Sequence, residues 1–209
     1  MYPDSVEALV SRSFLEAAEG VETVFHASGR EDIDARMLGT GRPFVLEVSK
    51  PKKRSLDLKK IEEAINASAK DKVEVSHLRF TNRDLVRKLK KGENSQKEYR
   101  ALIAFEKDIS ASDMLLLEQK LNGVIIKQQT PLRVAHRRAD LVRERYIYKL
   151  KVKKISAKEA LMELRCQGGL YVKELVSGDE GRTVFSVAEL LNNPSKITKL
   201  DVLKVIVED

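Results

Sequence analysis

The chain has 209 residues, of which 42% are hydrophobic and 34% are charged. This length suits one large domain or two small ones, and the hydrophobic content argues against intrinsic disorder. No apolar run approaches the ~20 residues of a membrane span, so no membrane partner is expected. The first ten residues lack the basic and apolar regions of a signal peptide.

The charge balance and the cysteine count narrow the class of protein further. The 39 lysines and arginines exceed the 32 aspartates and glutamates, and the net charge of +7 favours a polyanionic partner. The single cysteine, Cys166, excludes an internal disulfide and makes an intracellular protein the default expectation. With only three histidines, a structural zinc site is not expected, and Cys166 is interpreted as a small buried hydrophobe.

The first half of the chain predicts helices and strands in irregular alternation. Residues 3–19 carry apolar side chains at helical spacing and stop at Gly20, which predicts a helix. The next elements, in chain order, are a strand at 21–27, a glycine-containing loop at 28–42, a strand at 43–48, a basic loop at 50–55, a helix from Asp57 to Ser68, a strand at 73–80, and a short basic helix at 82–91 between Thr81 and Gly92.

The second half is richer in strands. A helix at 112–121, beginning at Ser110 or Ser112, lies among strands predicted at 98–106, 124–129, 141–155 and 199–207. One segment stays open, because Ser156 and Glu159 match a helix capping box while residues 161–165 alternate as a strand would. Hydrophobic and polar alternation on most strands favours antiparallel pairing, so we predict one compact α+β domain.

The densest chemical signal is the segment SGREDIDARMLGTGRPF at residues 28–44. No phosphate-binding loop of the GxxxxGK[ST] type and no GxSxG elbow occurs elsewhere in the chain. On composition alone, this segment is either a solvated ion-pair network or a carboxylate kept ionised among arginines that also receive phosphates. The charged residues concerned are Arg30, Glu31, Asp32, Asp34, Arg36 and Arg42.

This segment resembles a known enzyme family. Residues 29–32, Gly-Arg-Glu-Asp, match the GR-x-D signature of pseudouridine synthases, and the string to residue 44 is similar to the archaeal and eukaryotic family that modifies uridines 54 and 55 of tRNA. Three further stretches agree in order: KEYRALI at 97–103, QTPLRVAHRR at 129–138, and GLYVKELVSGDEGRT at 169–183.

The resemblance implies a fold and a reaction. The fold is the pseudouridine synthase catalytic fold, a mixed and mostly antiparallel sheet flanked by helices with a basic active-site cleft. The reaction breaks the C1′–N1 bond of a uridine in the tRNA T-arm and rejoins the uracil through C5, without a metal or any other cofactor. A cytoplasmic location is expected for such an enzyme.

The resemblance also implies catalytic residues. Asp32 matches the essential aspartate, acting either as a covalent nucleophile or as an aid to base loss, while its neighbours Glu31 and Asp34 are interpreted as ion-pair partners. Tyr99 is expected to stack on the flipped uracil and to help remove the C5 proton. Lys173 is expected to pair with Asp32.

Basic side chains are expected to hold the distorted RNA. The predicted substrate-binding residues are Arg30, Arg36, Arg42, Arg133, His136, Arg137, Arg138 and Arg182. Less specific phosphate contacts are expected from Lys50, Lys52, Lys53, Arg54, Arg87, Lys88, Lys90 and Lys91. The tyrosines Tyr146 and Tyr148 compete with Tyr99 but lie outside the matched motif.

One departure from the family concerns domain organisation. Longer members carry an N-terminal RNA-binding region with a THUMP-type module, and it is expected to be absent here because Asp32 lies near the start of the chain. Residues 1–209 are then a single catalytic domain: the catalytic part of a longer protein, a short natural form, or half of a split enzyme. A separate N-terminal RNA-binding domain or subunit is a candidate partner.

Three functions remain in competition. The leading hypothesis is a tRNA pseudouridine synthase, and the alternative is a non-catalytic RNA-binding or RNA-folding module with the same fold. A third is the same chemistry on ribosomal or another RNA. The complete set of Asp32, Tyr99 and Lys173 favours the enzyme, because a binding module requires only a basic surface.

Overall fold

The computed structural model of the protein describes residues 5–29, 34–90 and 95–206. The helices are α1 (Val6–Ala18), α2 (Leu58–Ser68), α3 (Arg83–Lys90), α4 (Ala111–Leu121), α5 (Val172–Ser177) and α6 (Val187–Leu191). The strands are β1 (Glu22–Ala27), β2 (Ala35–Met37), β3 (Phe44–Ser49), β4 (Gln96–Phe105), β5 (Val124–Gln129), β6 (Val142–Lys154), β7 (Glu159–Gln167), β8 (Thr183–Val184) and β9 (Ser195–Ile206). Short 3₁₀ helices span Leu132–Arg137 and Asp179–Gly181.

The chain forms two compact units. The first comprises Met1–Ala27 with Pro43–Lys90, and the second comprises Ser28–Arg42 with Lys91–Asp209. No helix within the described ranges is long and apolar enough to cross a membrane. That residues 1–209 act as one catalytic domain stays a prediction.

In the first unit α1 and α3 pack against the antiparallel pair β1–β3, and α2 packs against α1. Ser5 begins α1 by accepting a hydrogen bond from the Ala8 amide, and Asp57 begins α2 in the same way from Lys60. Val10 and Phe14 of α1 meet Ile61 and Ile65 of α2 in a buried cluster. The predictions for both helices and both strands are confirmed.

The strand predicted at 73–80 is wrong, because side chains of α2 take up its backbone hydrogen bonds. The Val75 amide donates to Asn66 Oδ1 at 2.8 Å, and Asn66 Nδ2 donates to the Val75 carbonyl at 2.9 Å. The Leu78 amide donates to Glu62 Oε2 at 3.1 Å. His77 also adopts a φ of 58°, which interrupts an extended chain.

The second unit is built on a seven-stranded sheet in the order β2-β9-β4-β7-β6-β5-β8. Every neighbouring pair is antiparallel except β2–β9, which is parallel. The predicted α+β class with a mostly antiparallel sheet is therefore confirmed. The strand β2 was not expected, since it lies inside the segment predicted as a loop.

The segment left open at 156–165 is a strand. The amides of Ile155 and Ser156 donate to the Glu159 carbonyl, so the residues that resemble a capping box form the turn between β6 and β7 instead. β7 pairs with both β4 and β6, and it buries every second side chain in the core, including Cys166. The interpretation of Cys166 as a buried small hydrophobe is confirmed, and burial raises the pKa of its thiol to about 12.

Candidate active site

Strand β4 presents two functional side chains on its buried face. Lys97 and Tyr99 are two residues apart, so they point to the same side of the sheet, and both are almost fully buried. Tyr99 lies opposite Leu164 of β7 and Val202 of β9. Lys97 and Tyr99 are therefore both buried on an interior strand of the sheet.

Lys97 reaches toward the segment that precedes the GR-x-D aspartate. A Cβ built on Gly29 would lie 2.9 Å from Lys97 Nζ and 3.7 Å from an Arg42 guanidinium nitrogen. Burial, and then the positive charge of Arg42, lower the pKa of Lys97 to about 8. Burial also lowers the pKa of Arg42, and nearby Tyr99 opposes that change. Lys97, Arg42 and Tyr99 thus form one group of interacting side chains.

Helix α5 carries Lys173, and buried Gln128 of β5 holds the start of that helix. Gln128 Oε1 accepts from the Tyr171 amide at 2.8 Å, while its Nε2 donates to the Tyr171 carbonyl at 2.9 Å and to Thr183 Oγ1 at 3.2 Å. Gly169, before the helix, has a φ of 87°. Val172 and Leu175 of α5 belong to the same buried cluster as Tyr99.

Lys173 forms an ion pair with Asp34. Its Nζ donates to the two carboxylate oxygens of Asp34 at 2.6 and 2.7 Å. The hydrogen bond from Lys173 holds the pKa of Asp34 below its ordinary value, and the charge of Arg133 acts in the same direction. Asp34 was interpreted from the sequence as an ion-pair partner, and this is confirmed. The predicted pairing of Lys173 with Asp32 lies outside the described residues and stays a prediction.

Arg133 is paired with a buried carboxylate. Its Nε donates to Glu174 Oε1 at 2.6 Å, and the Glu174 side chain is only 5% exposed. This pair anchors the 3₁₀ helix Leu132–Arg137 on α5. Phosphate contact by Arg133 stays a prediction, but the structure gives the side chain this second role.

The other predicted substrate-binding residues differ in their surroundings. Arg36 of β2 makes a two-bond ion pair with Asp201 of β9, at 2.8 and 3.2 Å. Arg182 is largely buried, and it donates to the Thr130 carbonyl and to Asp140. His136, Arg137 and Arg138 are all exposed, and Arg138 donates to the Tyr171 hydroxyl at 3.0 Å. Arg30, Glu31 and Asp32 lie outside the described residues.

The structure thus brings together Lys173, Asp34 and Arg133 in one group, and Tyr99, Arg42 and Lys97 in another. Lys97, Gln128 and Glu174 were not singled out from the sequence. Lys97 lies just before the strand predicted at 98–106, and its spacing of two from Tyr99 is the local signal that could have indicated it. No group of three or more histidine, cysteine, aspartate or glutamate side chains that could hold a metal ion occurs in the described part of the chain.

Comparison with protein families decides the classification. Residues 1–206 match the family model described as Pus10, C-terminal. The chain belongs to this family. A tRNA pseudouridine synthase Pus10 from Methanocaldococcus jannaschii is 49% identical over 205 residues, which cover 98% of this chain and 44% of that protein. Relatives of the same name from Methanothrix thermoacetophila and Halorubrum lacusprofundi are 46% and 44% identical, covering 98% and 100% of this chain.

The chain spans about half the length of these Pus10 relatives, 44–49% of each. Among solved structures, a chain of the Cbf5-Nop10-Gar1 complex is similar with a TM-score of 0.60 and 16% identity. That likeness covers 97% of this chain and 46% of the other. A chain of the archaeal box H/ACA sRNP Nop10-Cbf5 complex is similar with a TM-score of 0.52 and 11% identity, covering 96% of this chain and 44% of the other. At these identities the likeness concerns the fold.

Proposed function

We propose that this chain is the catalytic part of a tRNA pseudouridine synthase that isomerises uridine 54, uridine 55 or both in the T-loop. The observation that carries the proposal is the match of residues 1–206 to the Pus10 C-terminal family, whose relatives are named as tRNA pseudouridine synthases. The positions of Tyr99 and Lys173 support it, because α5 packs against β9, which is hydrogen-bonded to the strand that carries Tyr99.

The reaction is a balanced isomerisation. The C1′–N1 bond of the uridine breaks, the uracil turns, and a C1′–C5 bond forms; C5 then loses its proton while N1 gains one. Asp32 supplies an ionised carboxylate at the ribose or the uracil. Tyr99 stacks on the base and assists the loss of the C5 proton, since an aromatic face binds a base and the phenol is a polar group.

Lys173 stabilises the carboxylate form of the acids around it. An ammonium has three donor hydrogens, so Lys173 can serve Asp32 while it holds Asp34, two residues further along the chain. Such pairing favours the charged carboxylate and keeps it oriented. This role requires neither a metal nor an organic cofactor.

The substrate is a folded tRNA whose target base must leave its stack, at a cost of a few kcal/mol. Exposed Arg137 and His136 and the basic loop at 50–54 are the proposed contacts to the T-arm backbone. A separate N-terminal domain or subunit that supplies further tRNA contacts is part of the proposal, as is a cytoplasmic location.

Incubation of the 209-residue chain with unmodified tRNA transcripts, followed by mapping of pseudouridine at each position, tests the function. We expect product at uridine 54, uridine 55 or both. Product at neither position with intact RNA binding would favour the non-catalytic RNA-binding module. Product only in other RNAs would favour the same chemistry on a different substrate.

The variant Asp32→Asn tests the catalytic assignment. The amide is similar in size to the carboxylate, so folding and tRNA affinity should persist while product formation is abolished. Asp71→Asn is the matched control, because Asp71 is exposed and its φ of 65° is one that asparagine tolerates. A rate for Asp32→Asn within about tenfold of the unmodified chain would contradict the assignment.

A further inference from the structure

Lys97 is a buried lysine to which the proposed reaction assigns no role. Its residue surface is only 6% exposed, and no other lysine in the described part of the chain is buried to this degree. An ammonium inside a protein loses the solvation that water provides, so its burial opposes folding unless local contacts compensate. A methionine would fill similar space without this loss of solvation, so the buried ammonium of Lys97 indicates a role for its charge.

The neighbours of Lys97 place its ammonium beside Gly29 and Arg42. On its own strand it shares a face with Tyr99, and in the flanking strands it lies opposite Cys166 of β7 and Val205 of β9. At the far end of the side chain, Nζ approaches Gly29, which has a φ of 82° and has no space for a Cβ on that side. Arg42 adds a second positive charge nearby. Gly29 precedes Asp32 by three positions.

We propose that Lys97 is a positioning residue of this active site: its ammonium, beside Arg42, supports the turn at Gly29 and holds that turn against the strand that carries Tyr99. The β4 backbone fixes Lys97 and Tyr99 together, and the Lys97 side chain reaches Gly29. Displacement of a reacting group by about 1 Å can cost on the order of a hundredfold in rate, so a support of this kind matters for turnover.

The test compares Lys97→Met with Lys199→Met. Methionine preserves the volume of Lys97 among apolar neighbours, and the midpoint of thermal unfolding shows whether the variant folds. Lys199 lies on β9 of the same sheet and is exposed, which makes it the matched control for loss of one lysine charge. Hydrogen exchange, measured by mass spectrometry, should be faster at residues 28–42 in Lys97→Met and unchanged in Lys199→Met.

The single-turnover rate is the second measurement, and its interpretation rests on the proposed function. At saturating tRNA the single-turnover rate of Lys97→Met should fall about tenfold or more, while the tRNA dissociation constant changes less than about threefold.

Different results would contradict the proposed function and the proposed role of Lys97. Absence of product from the unmodified chain counts against the proposed function, whereas the exchange measurement tests Lys97 without any activity. Unchanged exchange at residues 28–42 in Lys97→Met would overturn the inference. So would a Lys97→Met rate equal to that of the unmodified chain.

Discussion

Asp34 shows how one contact sets the charge of a side chain in this site. Lys173 bonds both of its carboxylate oxygens, and this holds the pKa of Asp34 below its ordinary value of 3.8. A lowered pKa in the folded protein means that the pair stabilises the fold above that ordinary value and stops doing so as the pH falls through the folded-state pKa. Because the Asp34 side chain is 63% exposed, the contribution is below about 1 kcal/mol.

Replacing Lys173 by methionine should therefore raise the pKa of Asp34 toward 3.8. The measurement is an NMR titration of the aspartate carboxyl carbons in both proteins. Asp57 is the internal control, since its pKa is lowered mainly by the backbone amide of Lys60 and should not change. An Asp34 titration that is the same in both proteins would show that Lys173 does not hold this carboxylate in solution.

Arg133 and Arg137 are four residues apart in one basic segment, yet they should respond differently to removal. Arg133→Ala leaves the buried carboxylate of Glu174 without this ion-pair partner, which should cost about 2–4 kcal/mol of unfolding free energy. Arg137 is exposed, so Arg137→Ala should change stability by less than about 0.5 kcal/mol. Urea denaturation of both variants measures the difference, and equal stabilities would contradict the structural role of Arg133.

At the scale of elements, β5 and α5 are joined through one side chain. Gln128 makes two hydrogen bonds to the backbone of Tyr171, directly before the helix that carries Lys173. Gln128→Leu should destabilise the protein by about 1–3 kcal/mol, because it leaves the partly buried Tyr171 amide without its acceptor, while the Tyr171 carbonyl still accepts from the Leu175 amide.

The same variant should also disturb the Lys173–Asp34 pair, visible as a rise in the pKa of Asp34. Gln129→Leu is the control, since the neighbouring side chain is only partly buried and bonds to exposed Asp140. Its effect on stability should be smaller than about 0.5 kcal/mol. If Gln128→Leu leaves both the unfolding free energy and the Asp34 titration unchanged, Gln128 does not position α5.

Elements with a clear local signal were predicted well, and the exceptions share a cause. Ser110, one of the two serines predicted to begin α4, is its N-cap and forms a capping box with Asp113. Residues 73–80 alternate as a strand does, but Asn66 provides the bonds that a neighbouring strand would have supplied. The segment after Ser156 has strong helix formers, but pairing on both sides makes it a central strand. In both cases hydrogen-bond partners outside the segment outweighed its local propensity.

At the scale of the whole molecule, the net charge of +7 predicts salt-dependent RNA binding. Each phosphate contact that is lost should reduce the magnitude of the slope of log K against log salt by roughly 0.7 to 0.9. We expect this reduction for the single variant Arg137→Ala. We expect the same reduction for a second single variant, Lys52→Ala, in the basic loop at 50–54. Both side chains are exposed.

Lys199→Ala removes the same charge from an exposed position outside the matched motifs, and its slope should equal that of the unmodified chain. Salt-titrated binding to tRNA and to an unrelated structured RNA provides the measurement, and both RNAs should be affected alike because phosphate contacts do not read sequence. A similar reduction in all three variants would show that net charge, rather than local contact, accounts for the slope.

The sequence by itself determined the family, the strand-rich α+β class and most element positions. Helix caps, hydrophobic periodicity and ordered motifs could be read because they depend on residues that are close together in the sequence. Only the tertiary structure decided that β2 pairs with β9, that Lys173 meets Asp34 and that Arg133 meets Glu174. The physical reason is distance along the chain. Lys173 and Asp34 are 139 positions apart, and which charge meets which depends on how strands and helices assemble around the core.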